Sequence, residues 1–222
     1  MAKTLKTEIL SIFMLVLSFA ASVYFYMHFP AQVPIHWNYD GQANGWGSAG
    51  FAAFFLPLFI LILYLLLTFI PMIDPKKENI AEFGEVYSLF KTVFVFVMTA
   101  LYFMVSYSGM GYQVPVAVYV PLLVGLLFIF IGYLLKRAKQ NWTIGIRTPW
   151  TLSSEAVWNK THQMAGKYFI IVGIIIGLEG LLPVWLRIPT FVLAIILVIV
   201  PVVYSYFLFI KEQKNKTPGP QI

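Results

Sequence analysis

Six stretches of this chain, at about 8–28, 51–73, 90–109, 115–135, 165–182 and 189–210, are nearly unbroken runs of apolar side chains. Each is long enough to cross a hydrocarbon core of about 30 Å at about 1.5 Å per residue. Lipid offers no partner for backbone N–H and C=O groups, so a chain that crosses it repeatedly must do so as helices or as a closed barrel. Runs this long and this apolar are helical. Charged residues make up only 11% of the chain against 60% hydrophobic, well under the roughly 25% charged residues of a soluble domain. The predicted fold class is all-α: a polytopic membrane protein with six transmembrane helices.

Orientation follows from the cations, because Lys and Arg are retained on the cytoplasmic side. With the N-terminus inside, the interior segments hold Lys3, Lys6, Lys76, Lys77, Lys91, Lys136, Arg137, Lys139, Arg147, Lys160, Lys167, Lys211, Lys214 and Lys216, while the exterior holds Arg187 alone. Both termini are therefore predicted to be cytoplasmic, in a bacterial cytoplasmic membrane. Lys3 and Lys6 followed by Ala20, Ala21 and Ser22 look superficially like a secretory signal, but the apolar run is too long for a signal core. The net charge of +6 follows from the same rule and calls for lipid headgroups rather than nucleic acid as a partner. Cysteine is absent, which removes disulfides, thiolate metal sites and cysteine nucleophiles. No cofactor is implied.

Three units are expected. Residues 1–73 form a two-span unit with an exterior loop, residues 74–135 an amphipathic interfacial helix with spans three and four, and residues 136–222 a cytoplasmic cassette with spans five and six. Asp74 as N-cap and Pro75 at the first helical position would start the interfacial helix, whose apolar residues Ile80, Phe83, Val86, Tyr87 and Phe90 recur at helical spacing. Pro57, Pro121 and Pro201 lie inside spans, where each removes a backbone hydrogen bond. Gly173 and Gly177, with Gly166 and Gly180 nearby, let a second helix approach closely. That helix can belong to the same bundle or to a second copy in a homodimer.

The exterior loop, 29–50, carries Pro30, Pro34, four glycines and the run His36-Trp37-Asn38-Tyr39-Asp40-Gly41. At this density Gly, Asn, Asp and Pro predict consecutive turns. Trp37, Tyr39 and Trp46 suit the headgroup layer. His28, His36 and Asp40 share this side and are zinc-ligand types, but their spacing matches no zinc motif. A hydrogen-bonded histidine holding the loop is the better reading, and no metal is assigned. Glu179 sits inside span five about one turn from its outer end, with Arg187 across the following loop. A carboxylate there is either an ion-paired, wetted end or a functional polar site.

The segment 144–158, reading IGIRTPWTLSSEAVW, is one that lipid does not require. Gly145 frees the backbone, Pro149 sets its own φ and keeps Thr148 out of helical conformation. Arg147 projects a planar fork of donors from this rigid turn. Ser153 or Ser154 then caps a helix on which Trp158 and His162 share a face. Trp142, Trp150 and Trp158 also suit an inner aromatic belt. Ser153, Ser154, Glu155 and His162 match no nucleophile arrangement, so no catalytic residue is assigned.

This cassette, continued by Asn159-Lys160-Thr161-His162 and Ala165-Gly166-Lys167, resembles the signature of the SdpI family of bacterial membrane immunity proteins. The segment Pro34-Ile35-His36-Trp37-Asn38 with Gly41 resembles the companion domain of unknown function found at that family's N-terminus. The resemblance implies six spans and protection of a cell against a secreted, membrane-active peptide toxin. It also implies signal transduction, in which a cognate repressor is held at the membrane. On that reading His36, Trp37, Asn38, Asp40, Gly41 and Trp46 would meet toxin outside. Arg147, Thr148, Pro149, Trp150, Thr151, Trp158 and His162 would meet a protein partner inside, and Glu179 would be an intramembrane polar site. The alternatives are a membrane-embedded hydrolase using His36 or Glu179, and a small-solute transporter.

Overall fold

The computed structural model describes residues 2–216. The Lys3 side chain and residues 217–222 lie outside the described residues. Among the described residues six helices are long and apolar enough to cross a membrane: Thr4–His28, Ala49–Ile73, Gly84–Gly109, Val116–Leu135, Glu155–Leu181 and Val184–Lys216. Their outward faces carry Ile12, Val16, Phe55, Phe59, Ile196 and Ile199 exposed, the surface that lipid solvates at no cost. Several helices run well past the apolar stretches that reveal them. The third begins at Gly84 and the fifth at Glu155, because a helix already nucleated continues through polar residues that find partners.

The first group comprises α1 (Ala2–His28), α2 (Ala49–Phe69) and α4 (Gly84–Gly109). Between α1 and α4 runs a seam of small hydroxyl residues. Ser11 donates to Thr92 at 3.1 Å, Thr7 meets Ser88, Ser18 meets Thr99, and the Tyr102 phenol donates to Ser22 at 3.1 Å. The first three pairs share an offset of 81 residues, so the two helices run parallel, with α2 returning between them. Inside lipid the hydrophobic effect gives helices no reason to associate, and hydrogen bonds with close packing take its place.

One end of this seam is closed by an ion pair. Lys91 Nζ lies 2.8 Å from Glu8 Oε1 and donates to Thr68 Oγ1 at 3.1 Å. Tyr64 donates to Glu8 Oε2 at 2.7 Å and Ser88 to Oε1 at 3.0 Å. Three helices are pinned by two charges whose donors and acceptors are matched. Glu8, the first residue of the first apolar stretch, is thus a second carboxylate set among the helices, beside Glu179.

The second group comprises α5 (Val116–Leu135), α7 (Glu155–Leu178) and α8 (Val184–Lys216). Here α5 and α7 are packed backbone against backbone. A Cβ on Gly173 would lie 2.5 Å from the Gly125 carbonyl oxygen, one on Gly125 2.4 Å from that of Gly173, and one on Gly132 2.6 Å from that of Gly166. The close-approach face expected from Gly173 and Gly177 therefore exists, and α5 of the same chain occupies it, which closes it to a second copy.

Two expectations change. The exterior loop is not a series of turns but an antiparallel hairpin, β1 (Gln32–Trp37) with β2 (Ala43–Ser48), so the fold is mostly rather than wholly helical. Val33 is wholly buried and packs, with Phe29, over Gly109 at the end of α4. Nor is there one amphipathic helix starting at Pro75 and running to Phe90. The chain breaks at Phe83, giving the six-residue α3 (Lys77–Glu82) and then α4. The apolar face read as lipid-facing is buried in protein: Ile80, Phe83 and Tyr87 pack with Leu134, Ala138 and Trp158. Periodicity reports that a face is apolar, not what covers it.

Gly173→Leu is expected to destabilise the folded bundle by at least about 1–3 kcal/mol, since neither backbone can retreat. Thermal unfolding in detergent reads it as a lowered Tm. Lys91→Met alone strands Glu8 and is expected to cost a few kcal/mol, whereas Lys91→Met with Glu8→Gln recovers much of it. A double-mutant cycle in chemical denaturation measures the coupling.

Candidate functional site

Polar side chains concentrate at the two ends of the bundle. At one end lies the 144–158 cassette. Thr148 caps α6 (Pro149–Ser153) by accepting from Thr151 N, while Thr151 Oγ1 accepts at 2.9 Å from Thr148 N. Pro149 takes the first turn, where its missing N–H costs nothing. Ser154 then caps α7 by accepting from Val157 N at 3.2 Å, so of the two serines it is the second that starts the long helix.

The interior of the cassette is a histidine. His162 stacks on Trp158 with ring centroids 3.9 Å apart. Its Nε2 accepts from Ile146 N at 2.9 Å, which requires the proton on Nδ1, and Nδ1 donates to Trp158 O at 2.8 Å. Both ring nitrogens are taken by backbone and the imidazole is neutral. Gly145, at φ +124°, lets the loop cross this ring; a Cβ there would sit 2.4 Å from Nε2. The Trp158 indole donates to Ala138 O at 2.8 Å. The Trp150 indole donates to Ser205 and meets Tyr206 edge-on, fastening the cassette to α8.

Three residues hold the approach to this loop: Asp74, expected as a helix cap, and Gln140 and Asn141, which sequence reasoning did not single out. Asp74, buried, accepts from Lys76 N at 2.7 Å, Trp142 N at 2.9 Å and Thr143 Oγ1 at 2.8 Å. It ties two connections rather than capping a helix at its own position. Gln140 donates to Thr151 O and Leu152 O, and Asn141 accepts from Ile144 N while donating to Ile144 O. Adjacent amides in a short loop between helices were the available signal.

The cassette residues thus divide by exposure. Thr151, Trp158 and His162 are buried within the protein, and Thr148 and Trp150 are half-buried. Arg147, Pro149 and Trp142 are exposed. Arg147 spends one N–H on Trp142 O at 2.6 Å, leaving most of its guanidinium at the surface. Ser154 and His162 do not meet: the serine hydroxyl donates to Glu212.

At the other end, the hairpin closes over a cavity of about 410 Å³ lined by Ile35 to Tyr39, Gly41, the first turns of α5, Glu179 and Arg187. The hairpin tip is organised by Asn38, whose Oδ1 accepts from Asp40 N at 3.1 Å and Gln42 N at 2.8 Å. Gly41 turns the tip at φ +78° with its Cα against Ala117, where a Cβ would lie 3.0 Å from that of Ala117. His36 Nδ1 donates across the strands to Asn44 Oδ1 at 2.6 Å.

Of the residues expected on this side, His36, Trp37, Asn38, Gly41 and Glu179 come together around the cavity. Asp40 and Trp46 are exposed on the hairpin and do not line it. Tyr39 and Arg187 join it. Desolvation and the charge of Glu179 hold the Tyr39 phenol above its usual pKa. His28 stacks on Tyr24 and bonds its carbonyl oxygen, away from His36. Among the described residues no group of three or more His, Cys, Asp or Glu could hold a metal ion. The cavity lining combines His36, Tyr39, Glu179 and Arg187 with apolar side chains and the Trp37 ring.

Gly145→Ala is expected to break the Ile146–His162 bond, since both φ and the space above the ring demand glycine. Loss of the protected Ile146 amide in hydrogen exchange, with α5–α7 protection retained, reads it.

Residues 137–205, the cassette with all of α7 and most of α8, match the model of the SdpI/YfhL protein family, and residues 13–61, which include the hairpin, match a domain of unknown function, DUF1648. The chain is 30% identical over 173 residues to the immunity protein SdpI of Bacillus subtilis (strain 168), covering 78% of this chain and 81% of that protein. No solved structure matches.

Proposed function

The chain belongs to the SdpI/YfhL protein family, and on that premise we propose that it is an immunity protein protecting its cell against a secreted, membrane-active peptide toxin. It is a multi-pass membrane protein, as its six apolar helices require, and its homologue is an immunity protein. The observation that carries the reading is the hairpin-end cavity. The family-like segment from Pro34 to Asn38 does not decorate a loose loop; it is folded into a hairpin whose inner side walls a space mostly apolar, with two opposite charges. Such a space suits a hydrophobic peptide with a few polar groups. With the lone exterior cation Arg187 beside it, this end faces outward, toward a secreted toxin.

The cassette end is the second half of the proposal. Arg147, Pro149 and Trp142 form an exposed basic and aromatic edge on a rigid base, suited to a carboxylate-bearing soluble protein such as a repressor. The buried members of the cassette shape that edge rather than touch the partner. The α5–α7 pair runs from the cavity to the cassette: Val116 to Pro121 and Glu179 at one end, Leu134, Trp158 and His162 at the other. A toxin that binds one packing of this pair better than another would change the cassette edge by that difference in affinity.

Expression in toxin-sensitive Bacillus subtilis is expected to raise the toxin concentration needed to arrest growth. Trp37→Ala should cut that protection by about tenfold or more, as removal of an aromatic anchor does, at unchanged membrane levels on an immunoblot. Arg147→Ala should keep protection and abolish repressor recruitment, read as loss of a membrane-bound repressor fraction. Loss of both together would reduce the cassette to a folding element.

A further inference from the structure

The cavity under the hairpin holds a carboxylate that the protein itself hardly satisfies. Glu179 is 6% exposed. Among the described residues its carboxylate has one hydrogen bond, from Thr190 Oγ1 at 3.3 Å, and no cation within 4 Å. That bond is the weakest of three competing for a single hydroxyl proton, since the same oxygen lies 3.0 Å from Leu186 O and 2.9 Å from Arg187 O. Burying a carboxylate this way is costly unless a partner arrives. Glu8, at the other end of the bundle, shows what full compensation looks like in this protein: a lysine, a phenol and a hydroxyl on one carboxylate.

Arg187 does not fill the role. Its Nε donates to Leu182 O at 3.0 Å and its second terminal nitrogen lies 3.4 Å from Gly180 O, which fixes the guanidinium on the α7–α8 connection. It lines the same cavity as a separate positive charge. The remaining lining adds the Trp37 and Tyr39 rings, whose faces favour a cation. Ala117 and Pro121 complete an apolar wall. The space therefore offers a carboxylate acceptor and a fixed guanidinium donor, with two aromatic rings in the same lining.

The geometry points to a binding site for a primary ammonium group that carries an oxygen acceptor a few bonds away, with Glu179 taking the ammonium and Arg187 the oxygen. The one open carboxylate oxygen is a point acceptor, matched by a compact ammonium better than by the planar fork of a guanidinium. Two sources share this chemistry: the free amino terminus of a peptide, whose first carbonyl lies two bonds from the nitrogen, and the headgroup of an ethanolamine phospholipid. The inference deepens the toxin-binding reading of this cavity and rests on it for the biological ligand, but its chemistry is testable alone.

The test uses the full chain in phosphatidylcholine nanodiscs, titrated with leucyl-phenylalanine amide and its N-acetyl counterpart, and read by the tryptophan fluorescence change that Trp37→Phe removes. The free amine should bind at least about tenfold more tightly than the acetylated probe, the worth of one charge-assisted hydrogen bond. Glu179→Gln, nearly isosteric, should erase that difference while still binding the acetylated probe, which shows that it is folded. Arg187→Gln should weaken both probes. If added phosphatidylethanolamine competes with the free amine, the site accepts the headgroup as well; if it does not, the site is specific for a peptide terminus. Equal binding of the two probes, or discrimination that survives Glu179→Gln, overturns the proposal. A wild-type protein that binds the free amine yet confers no protection would overturn the toxin reading and leave this site standing.

Discussion

The contact between α5 and α7 is the constraint on which the rest of the structure depends. Glycines on both helices bring the two backbones into direct contact at the crossing, with Ile129 and Ile170 packed onto the facing glycines. In lipid, where apolar side chains gain nothing by leaving their surroundings, this close van der Waals approach is a principal source of helix association. It also sets geometry. The start of α5 is brought beneath the hairpin tip, and its end is brought beside the Trp158 and His162 layer of α7. One rigid pair therefore positions both candidate sites, on opposite ends of the bundle.

The polar interior divides into what stabilises and what is left open. The Glu8–Lys91 pair is surrounded by donors and acceptors in matching number, and the hydroxyl seam beside it joins α1 to α4 in parallel. His162 is a neutral ring with both nitrogens bound to backbone, and so serves as a rigid spacer between the loop and α7. Glu179 differs from both. It is buried, as Lys91 and His162 are and as the half-buried Glu8 is not, yet among the described residues it carries a single long hydrogen bond, and it borders a cavity. That contrast within one molecule, more than the presence of a charge in a span, separates a candidate ligand group from structural ones.

The family-like segments prove to be folded for different ends. In the cassette the order of residues reads as local architecture: Thr148 and Thr151 cap each other across Pro149, and Gly145 clears the imidazole. Of the residues expected to face a partner, Thr151, Trp158 and His162 are buried, Thr148 and Trp150 are half-buried, and Arg147 and Pro149 are exposed, with Trp142 exposed beside them. In the hairpin, Asn38 and Gly41 make the tip while Trp37 and His36 wall the cavity. The apolar face of 80–90 had the right period and the wrong destination. It is buried against Leu134, Ala138 and Trp158, which lie far along the chain and carry no mark of that contact.

From the residues alone came the number of apolar helices, the close-approach face of the fifth, the turn at Thr148 and Pro149, a cap at Ser153 or Ser154 and the shared face of Trp158 and His162. All of these rest on lipid thickness or on neighbours within a few positions, which a linear string records directly. The tertiary structure decided the rest. It made a hairpin of a glycine-rich loop by seating Val33 on Gly109, tied Asp74 to Trp142 and Thr143, paired Glu8 with Lys91, and gathered Tyr39, Glu179 and Arg187 around one cavity. Each joins residues remote in sequence, and such pairings are settled only when whole helices pack, because the energy that selects them belongs to the contact and not to either partner.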